Sequence, residues 1–227
     1  MALQREFKQK RAAATFDSLV AAAARVFARR GFEAAQTPEI AAEAGVSTGA
    51  LYRYFKDKRV LFVEVVAQHL RQSNEAVLAK LTPERFAAGG ANAAAAIDLV
   101  IDVLFERVRR DAGLERVYLA MSFSDPEVMQ LRADYEAQGI LALARLIDLV
   151  VAPGVVADSL AAARVIGIAA VEVAADRAGL RSRTGDDSSD EAVKTALREM
   201  TCRYLFPANA PPAANPPATA KRTRTKR

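Results

Sequence analysis

Between Thr37 and Phe55, in the run TPEIAAEAGVSTGALYRYF, the side chains suited to meeting a polyanion collect on one short stretch. Read as a helix, that stretch puts Thr48, Gly49, Tyr52 and Arg53 on one face, with Ala50 and Tyr54 at its flanks. Gly49 lets the backbone approach a phosphate, and a helix N-terminus presents free N–H groups to anions. Arg53 can reach a guanine edge or a phosphate oxygen. Lys56, Lys58 and Arg59 follow at once, in a turn that would face the sugar-phosphate backbone. Contacts of that kind set register without reading sequence. The chemistry on offer is recognition of a DNA groove, with no bond made or broken.

Two helices and a turn must hold that face. Thr37-Pro38 predicts a helix start, the hydroxyl capping free N–H groups and the proline losing no bond at the first helical position. Ile40, Ala41 and Ala44 give this helix an apolar stripe, and Gly45 stops it because glycine takes the left-handed conformation past a helix end without steric cost. Val46 packs into the corner and Ser47 caps the next helix, whose inner face is Leu51 and Phe55. A preceding helix carries Leu19, Val20, Ala23, Val26 and Phe27 at helical period and ends at Arg29, Arg30 and Gly31. A long helix from about Lys58 to Leu81, with Leu61, Val65 and His69 on one face, would link this head to the rest.

The run from Phe16 to Leu61, above all GF at 31–32, EIAAEAGVSTGALYRYF at 39–55 and Lys58, resembles the N-terminal DNA-binding domain of the TetR family of bacterial transcriptional repressors. The resemblance implies operator contacts at Thr37, Ser47, Thr48, Gly49, Tyr52, Tyr54 and Lys58, and buried positions at Leu51 and Phe55. The residues' own chemistry adds Ala50, Arg53 and Lys56 to the candidate DNA-binding set. One departure stands out: the family usually has Thr or Ser where this chain has Ala35 and Gln36, so the capping box with Glu39 is absent.

Charge divides the chain in the same way. Residues 1–60 hold 11 Lys or Arg against 6 Asp or Glu, residues 61–206 hold 16 against 21, and residues 207–227 hold 5 against none. A basic head on an acidic body expects only the head to meet nucleic acid. We therefore read a basic N-terminal arm at 1–15, a helix-turn-helix DNA-binding domain at 16–60, a helical ligand-binding and dimerisation domain at 61–206, and a disordered basic tail at 207–227. The tail, PANAPPAANPPATAKRTRTKR, is too rich in Pro and Ala to fold. It serves either as a solvated terminus or as a polybasic aid to DNA affinity, and the arm, with Arg5, Lys8, Lys10 and Arg11, is placed to reach a minor groove.

The body reads as helices at 92–110, 114–122, 126–151, 156–178 and 189–206, separated by a loop at Thr82-Pro83 to Gly89-Gly90, by Asp125-Pro126, by Pro153-Gly154 and by SRTGDDSS at 182–189. No segment alternates as a strand, so the fold class is all-α, an N-terminal three-helix DNA-binding domain followed by a C-terminal helical domain. The single Cys202 excludes an internal disulfide, no secretory pattern appears, and Arg145, Asp148, Asp158 and Arg164 interrupt the one long apolar stretch below the ~20 residues a membrane span needs. A cytoplasmic protein without membrane partner is expected.

The helix at 156–178 is rich in small residues (Ala161, Ala162, Ala163, Gly167, Ala169, Ala170, Ala174), and the one at 189–206 offers Val193, Leu197, Met200, Cys202 and Leu205. Both suit a homodimer interface, with packing inside one subunit as the alternative. Pairing is favoured because one recognition helix reads few bases, whereas a two-fold pair covers half-sites ~34 Å apart. In the resembled family these last helices form a four-helix bundle with the partner, and the body binds a small molecule. Candidate pocket residues are Phe105, Tyr118, Met121, Phe123, Tyr135, Leu143 and Glu172, with core packing the plainer role for the apolar ones. Glu172 interrupts the apolar run VIGIAAVEVAA and needs a partner, either Arg145 or Arg164 in an ion pair or a cationic ligand. His69 could also line a pocket, or be a satisfied core residue. An enzyme is disfavoured: one His and one Cys lie far apart, with no metal-ligand spacing, no phosphate-cradling loop and no nucleophile elbow, so neither cofactor nor metal is expected. The remaining rival is a helical adaptor for other proteins; a DNA reader would lose affinity steeply with salt and keep a sequence preference, while an adaptor would do neither. The reading is a sequence-specific DNA-binding transcriptional regulator, a dimeric repressor released from its operator by a small-molecule effector.

Overall fold

In the computed structural model, residues 2–86, 90–180 and 188–207 are described, and they contain helices joined by turns with no strand among them. Three helices make the head: α1 (Ala2–Ala34), α2 (Thr37–Glu43) and α3 (Thr48–Tyr54). The connecting helix α4 (Lys58–Leu78) leads through one turn, α5 (Pro83–Phe86), to the body helices α6 (Gly90–Arg110), α7 (Ala112–Ser122), α8 (Pro126–Val150), α9 (Ser159–Arg177) and α10 (Asp190–Leu205). The segment expected to be a loop after the linking helix thus contains α5, which tucks Phe86 into the core. Helix α1 continues through the residues read as an arm and kinks at Gly31, whose φ of 77° leaves the helical range. The side chains of Arg5 and Lys8, most of the run at 182–189 and the tail from 208 onward lie outside the described residues.

Caps set the boundaries. Asp57 accepts from Val60 N at 2.8 Å to start α4, Asp158 accepts from Leu160 N and Ala161 N at 2.9 Å each to start α9, and Ser189 accepts from Ala192 N at 3.1 Å to start α10. Helix α9 therefore begins three residues after the expected Val156, at the first residue an aspartate can cap.

One hydrophobic core runs through the head and into the body. Leu19, Val26, Phe27, Ile40, Leu51, Phe62 and Val66 pack with Leu114 and Tyr118 of α7 and Val128 of α8. Phe27, Phe32 and Phe62 form its aromatic centre, with ring centroids 5.1–5.9 Å apart. Helices α7 and α1 approach closely because Gly113 has no side chain: a Cβ there would lie 3.0 Å from the Ala28 carbonyl oxygen. Two further clusters fill the body, one centred on Ile97, Ile101, Leu104 and Leu197, the other on Ile140, Ile147, Ala163 and Leu205. Helix α9 has apolar residues on all its faces, not on a single stripe. Ala162, Ala163, Ala170 and Ala174 are buried within the subunit, and so are Leu197 and Leu205 of α10. These residues, read as interface candidates, pack internally instead. The large apolar residues exposed on these two helices are Leu160, Val165, Ile168 and Val171 on α9 and Met200 and Tyr204 on α10.

Candidate nucleic-acid interface and internal cavity

The turn between α2 and α3 is built as its sequence requires. Gly45 has φ 72°, and Ser47 Oγ accepts from Ala50 N at 3.1 Å. Thr37 does otherwise than expected. It is the first residue of α2, whose cap position is Gln36 without a side-chain bond, and its hydroxyl lies 3.0 Å from the Tyr52 hydroxyl. The two outer hydroxyls of the head thereby hold each other across α2 and α3.

The face itself is open. Tyr52 is 51% exposed, and Ser47, Gly49, Arg53 and Lys56 are exposed beside it, with Thr37, Thr48 and Tyr54 half-buried. Tyr54 leans edge-on against Phe16, ring centroids 6.4 Å apart. Two candidates differ. Ala50 is buried, because it faces the α2–α3 core. The Lys58 ammonium donates to the carbonyl oxygens of Phe32, Glu33 and Ala35 at 2.7, 3.0 and 3.2 Å and sits 4.7 Å above the Phe32 ring. All three of its donors are occupied, so in this arrangement Lys58 fastens the start of α4 to the end of α1, with no donor free for a phosphate. Arg59 is likewise engaged: its Nε donates to Asp125 Oδ2 at 2.6 Å and its Nη2 to Asp125 Oδ1 at 2.8 Å. Asp125 also accepts from Glu127 N and Val128 N at the start of α8. The Arg59 hydrogen bonds hold its carboxyl below the usual aspartate range.

Behind the face, Arg25 and Arg29 of α1 bind Glu43 of α2, and Arg30 binds Glu39. Hydrogen bonds from Arg29 and Arg25 push the Glu43 carboxyl down to about 2. Sequence pattern gave these residues no role beyond charge; they fix α2 against α1 and leave Arg53 and Lys56 as basic side chains of the face without an ion-pair partner among the described residues.

A cavity of about 410 Å³ lies in the body, walled by α4 to α10. Of the candidate pocket residues, Tyr118, Tyr135, Leu143 and Glu172 line it. Phe105, Met121 and Phe123 do not. Phe105 is buried in the α6 core beneath the Lys194 ammonium, and Met121 packs against the head core. Phe123 caps the end of α7 and is 84% exposed, because the turn into α8 carries it away from the body. Arg145 and Arg164, proposed as partners of Glu172, are both exposed.

His69 is a core residue one layer behind the cavity wall, its Nε2 2.8 Å from Glu115 Oε1. Arg107 Nη1 donates to the same Glu115 oxygen and, at 3.1 Å, to Ser73 Oγ. Burial raises the Glu115 carboxyl, but the His69 hydrogen bond and the Arg107 charge outweigh it, and the group lies below the usual glutamate range. Arg107 and Arg132 line the cavity and were missed in sequence. A signal existed for Arg107: it follows Leu104 by three residues, so the buried stripe of Ile97, Ile101, Leu104 and Val108 carries a charge on its edge.

Comparison with known proteins places these features. Residues 19–65 match the family described as bacterial regulatory proteins, tetR family. Over 120 residues the chain is 29% identical to YdgC, an uncharacterized HTH-type transcriptional regulator of Bacillus subtilis (strain 168); the match spans 51% of this chain and 57% of that protein. The fold is similar to the crystal structure of a regulator from Mesorhizobium loti assigned to the TetR family (TM-score 0.64, 20% identity, covering 86% of this chain and 95% of that one). It is also similar to one from a Rhodococcus species (TM-score 0.63, 16% identity, covering 85% and 99%). At such identities the likeness is one of fold. No described helix is long and apolar enough to cross a membrane.

Proposed function

The chain belongs to the tetR family of bacterial regulatory proteins, DNA-binding transcriptional regulators, and from that premise we propose that it is a homodimeric repressor, acting in the cytoplasm, that leaves its operator when a small molecule enters the body cavity. Reading of DNA falls to Thr37, Ser47, Thr48, Gly49, Tyr52, Arg53, Tyr54 and Lys56, with the N-terminus of α3 turned to a phosphate. Dimerisation falls to the exposed apolar residues of α9 and α10.

The observation that carries this reading is the course of α4. Its first residues clasp α1 through Lys58 and α8 through Arg59, its middle joins α7 through His69, and its last turns, at Leu70, Ser73, Asn74 and Val77, form cavity wall. A ligand that displaces the wall must move α4, and the head follows because Phe62, Val65 and Val66 of α4 lie in the head's own core. In a dimer that movement alters the separation of two recognition helices. The ligand acts only through its different affinity for the two arrangements.

The test is selection of bound sequences from a random DNA pool with the purified full-length chain at moderate salt. A two-fold symmetric consensus, with half-sites about one helical turn apart, supports a dimeric reader. Enrichment of an asymmetric site, or binding that ignores sequence at every salt concentration, would overturn it.

A further inference from the structure

The cavity is lined mainly by aliphatic side chains and carries the carboxylates Glu115, Glu136 and Glu172, with its two guanidiniums near Tyr118. Arg107 from α6 and Arg132 from α8 flank it, and both charges act on the Tyr118 phenol. Arg107 uses Nη1 for Glu115 and Ser73; its Nε is wholly enclosed without a partner, and Nη2 has no acceptor among the described residues. Arg132 has one polar contact, its Nη1 at 3.5 Å from Ser122 Oγ, and no carboxylate within ion-pair distance among the described residues. The Tyr118 residue is 5% exposed, and no described group bonds its hydroxyl. Burial holds that phenol above its ordinary range, so it stays a donor at any working pH. A donor as enclosed as the Arg107 Nε ordinarily has an acceptor.

We propose that the cavity is a binding site for an aliphatic carboxylate, its head held by Arg132 and Arg107 with the Tyr118 hydroxyl donating, and its chain lying among Ile101, Leu104, Leu143 and Ile147. A guanidinium matches a carboxylate in a planar, two-point fashion that it does not offer to an alcohol. A monoanion suits the charges better than a phosphate dianion does. Glu115 already offsets Arg107, Glu136 lies exposed one turn beyond Arg132 and outside ion-pair distance of it, and Glu172 adds a negative charge to the α9 wall, so room for one negative charge exists only beside the half-buried Arg132. A cationic head beside Tyr118 would meet the Arg132 guanidinium, which has no carboxylate within ion-pair distance among the described residues. The volume of about 410 Å³ falls toward the lower end of the ~300–1,000 Å³ usual for small-molecule sites and fits a single chain. The inference deepens the effector reading above and depends on it only for the consequence at the operator.

Three probes of equal length separate the possibilities: decanoate, decanol and decylammonium, titrated into the full-length chain below their aggregation concentrations and followed by calorimetry. Decanoate is expected to bind about ten-fold more tightly than decanol, the scale of a charge-assisted bond, and decylammonium not at all. Arg132→Gln should bring decanoate to the affinity of decanol while leaving the ligand-free melting temperature unchanged. Should that variant fold poorly, Tyr118→Phe replaces it, with a few-fold loss for decanoate alone. Decanol binding as tightly as decanoate, no binding of decanoate, or full decanoate affinity in the variant would each overturn the proposal. Decanoate that binds with the expected preference but leaves operator affinity unaltered upholds the carboxylate site and refutes its role as the effector site.

Discussion

Replacing Glu115 by glutamine keeps the shape of the side chain and removes its charge, at the point where α4, α6 and α7 meet. The Glu115 and His69 side chains are each 8% exposed and that of Arg107 13%. Deleting one partner of a buried ion pair costs about 3–5 kcal/mol, mostly through the charge left behind. Glutamine retains an acceptor for Arg107 and His69, so we expect about 2–3 kcal/mol for Glu115→Gln at pH 7. For a chain of this length that lowers Tm by roughly 4–12 °C. The effect has a pH signature. Because the folded-state carboxyl titrates below its unfolded value, its stabilisation is complete above the unfolded pKa of about 4.3 and disappears as pH falls through the folded value. Urea denaturation of the two proteins from pH 8 to pH 3.5 should therefore give a constant gap down to about pH 5 that narrows below it. Equal stabilities at pH 7, or a gap that widens on acidification, would refute the assignment of Glu115 as the ionised centre of this cluster.

Three other outcomes are expected. Tyr52→Phe removes only the hydroxyl that meets Thr37, so operator affinity measured by fluorescence anisotropy should fall about ten-fold, one hydrogen bond's worth, while Tm stays put; Tyr52→Ala should abolish binding with dimer and fold intact. Ile168→Glu places a charge in the exposed apolar stripe of α9 and should convert the dimer to monomer in light scattering without lowering helix content, whereas an unchanged mass would assign the interface elsewhere. Gly45→Ala and Gly113→Ala should differ in kind: at Gly45 a Cβ meets nothing within 4 Å but φ is 72°, costing about 1 kcal/mol of stability. At Gly113 the Cβ would press on the backbone of Ala28 of α1, so about 1–3 kcal/mol of stability should be lost and operator affinity should change with it.

The head was legible from sequence because its rules are local. Ser47, Gly45 and the pair Leu51 and Phe55 act within a few residues of themselves, and the structure places them as the pattern required. Thr37 was misjudged because its partner, Tyr52, lies fifteen residues on, across a turn. The pocket was legible only in part for the same reason. Glu172 announces itself as a polar interruption of an apolar run, but whether an aromatic side chain such as Tyr118 faces a cavity or a neighbour depends on how seven helices are rotated. That rotation is set by long-range contacts such as Arg59 with Asp125 and Gly113 with Ala28, which have no periodicity to find. Phe123 illustrates the failure: its type suggested a buried face, and the Asp125 cap that starts α8 turns it outward.

A head that shares its core with the body constrains how such a regulator can switch. Were the head a separate unit on a flexible joint, ligand binding could free it without moving it in any defined direction. Here Leu114, Tyr118 and Val128 of the body lie in the same cluster as Phe27 and Leu51 of the head, and Tyr118 is also cavity wall. One side chain therefore touches both the ligand space and the head's interior. Packed interiors repack between discrete arrangements more readily than they deform continuously. Motion in the wall should thus reach α3 as a rotation of the whole head about the α1–α7 contact at Gly113, with the helix-turn-helix itself undistorted. Amide exchange separates this from local melting of the head. Protection of Leu51 and Phe62 should persist when ligand binds and DNA is released; loss of it would mean that the head unfolds to let go.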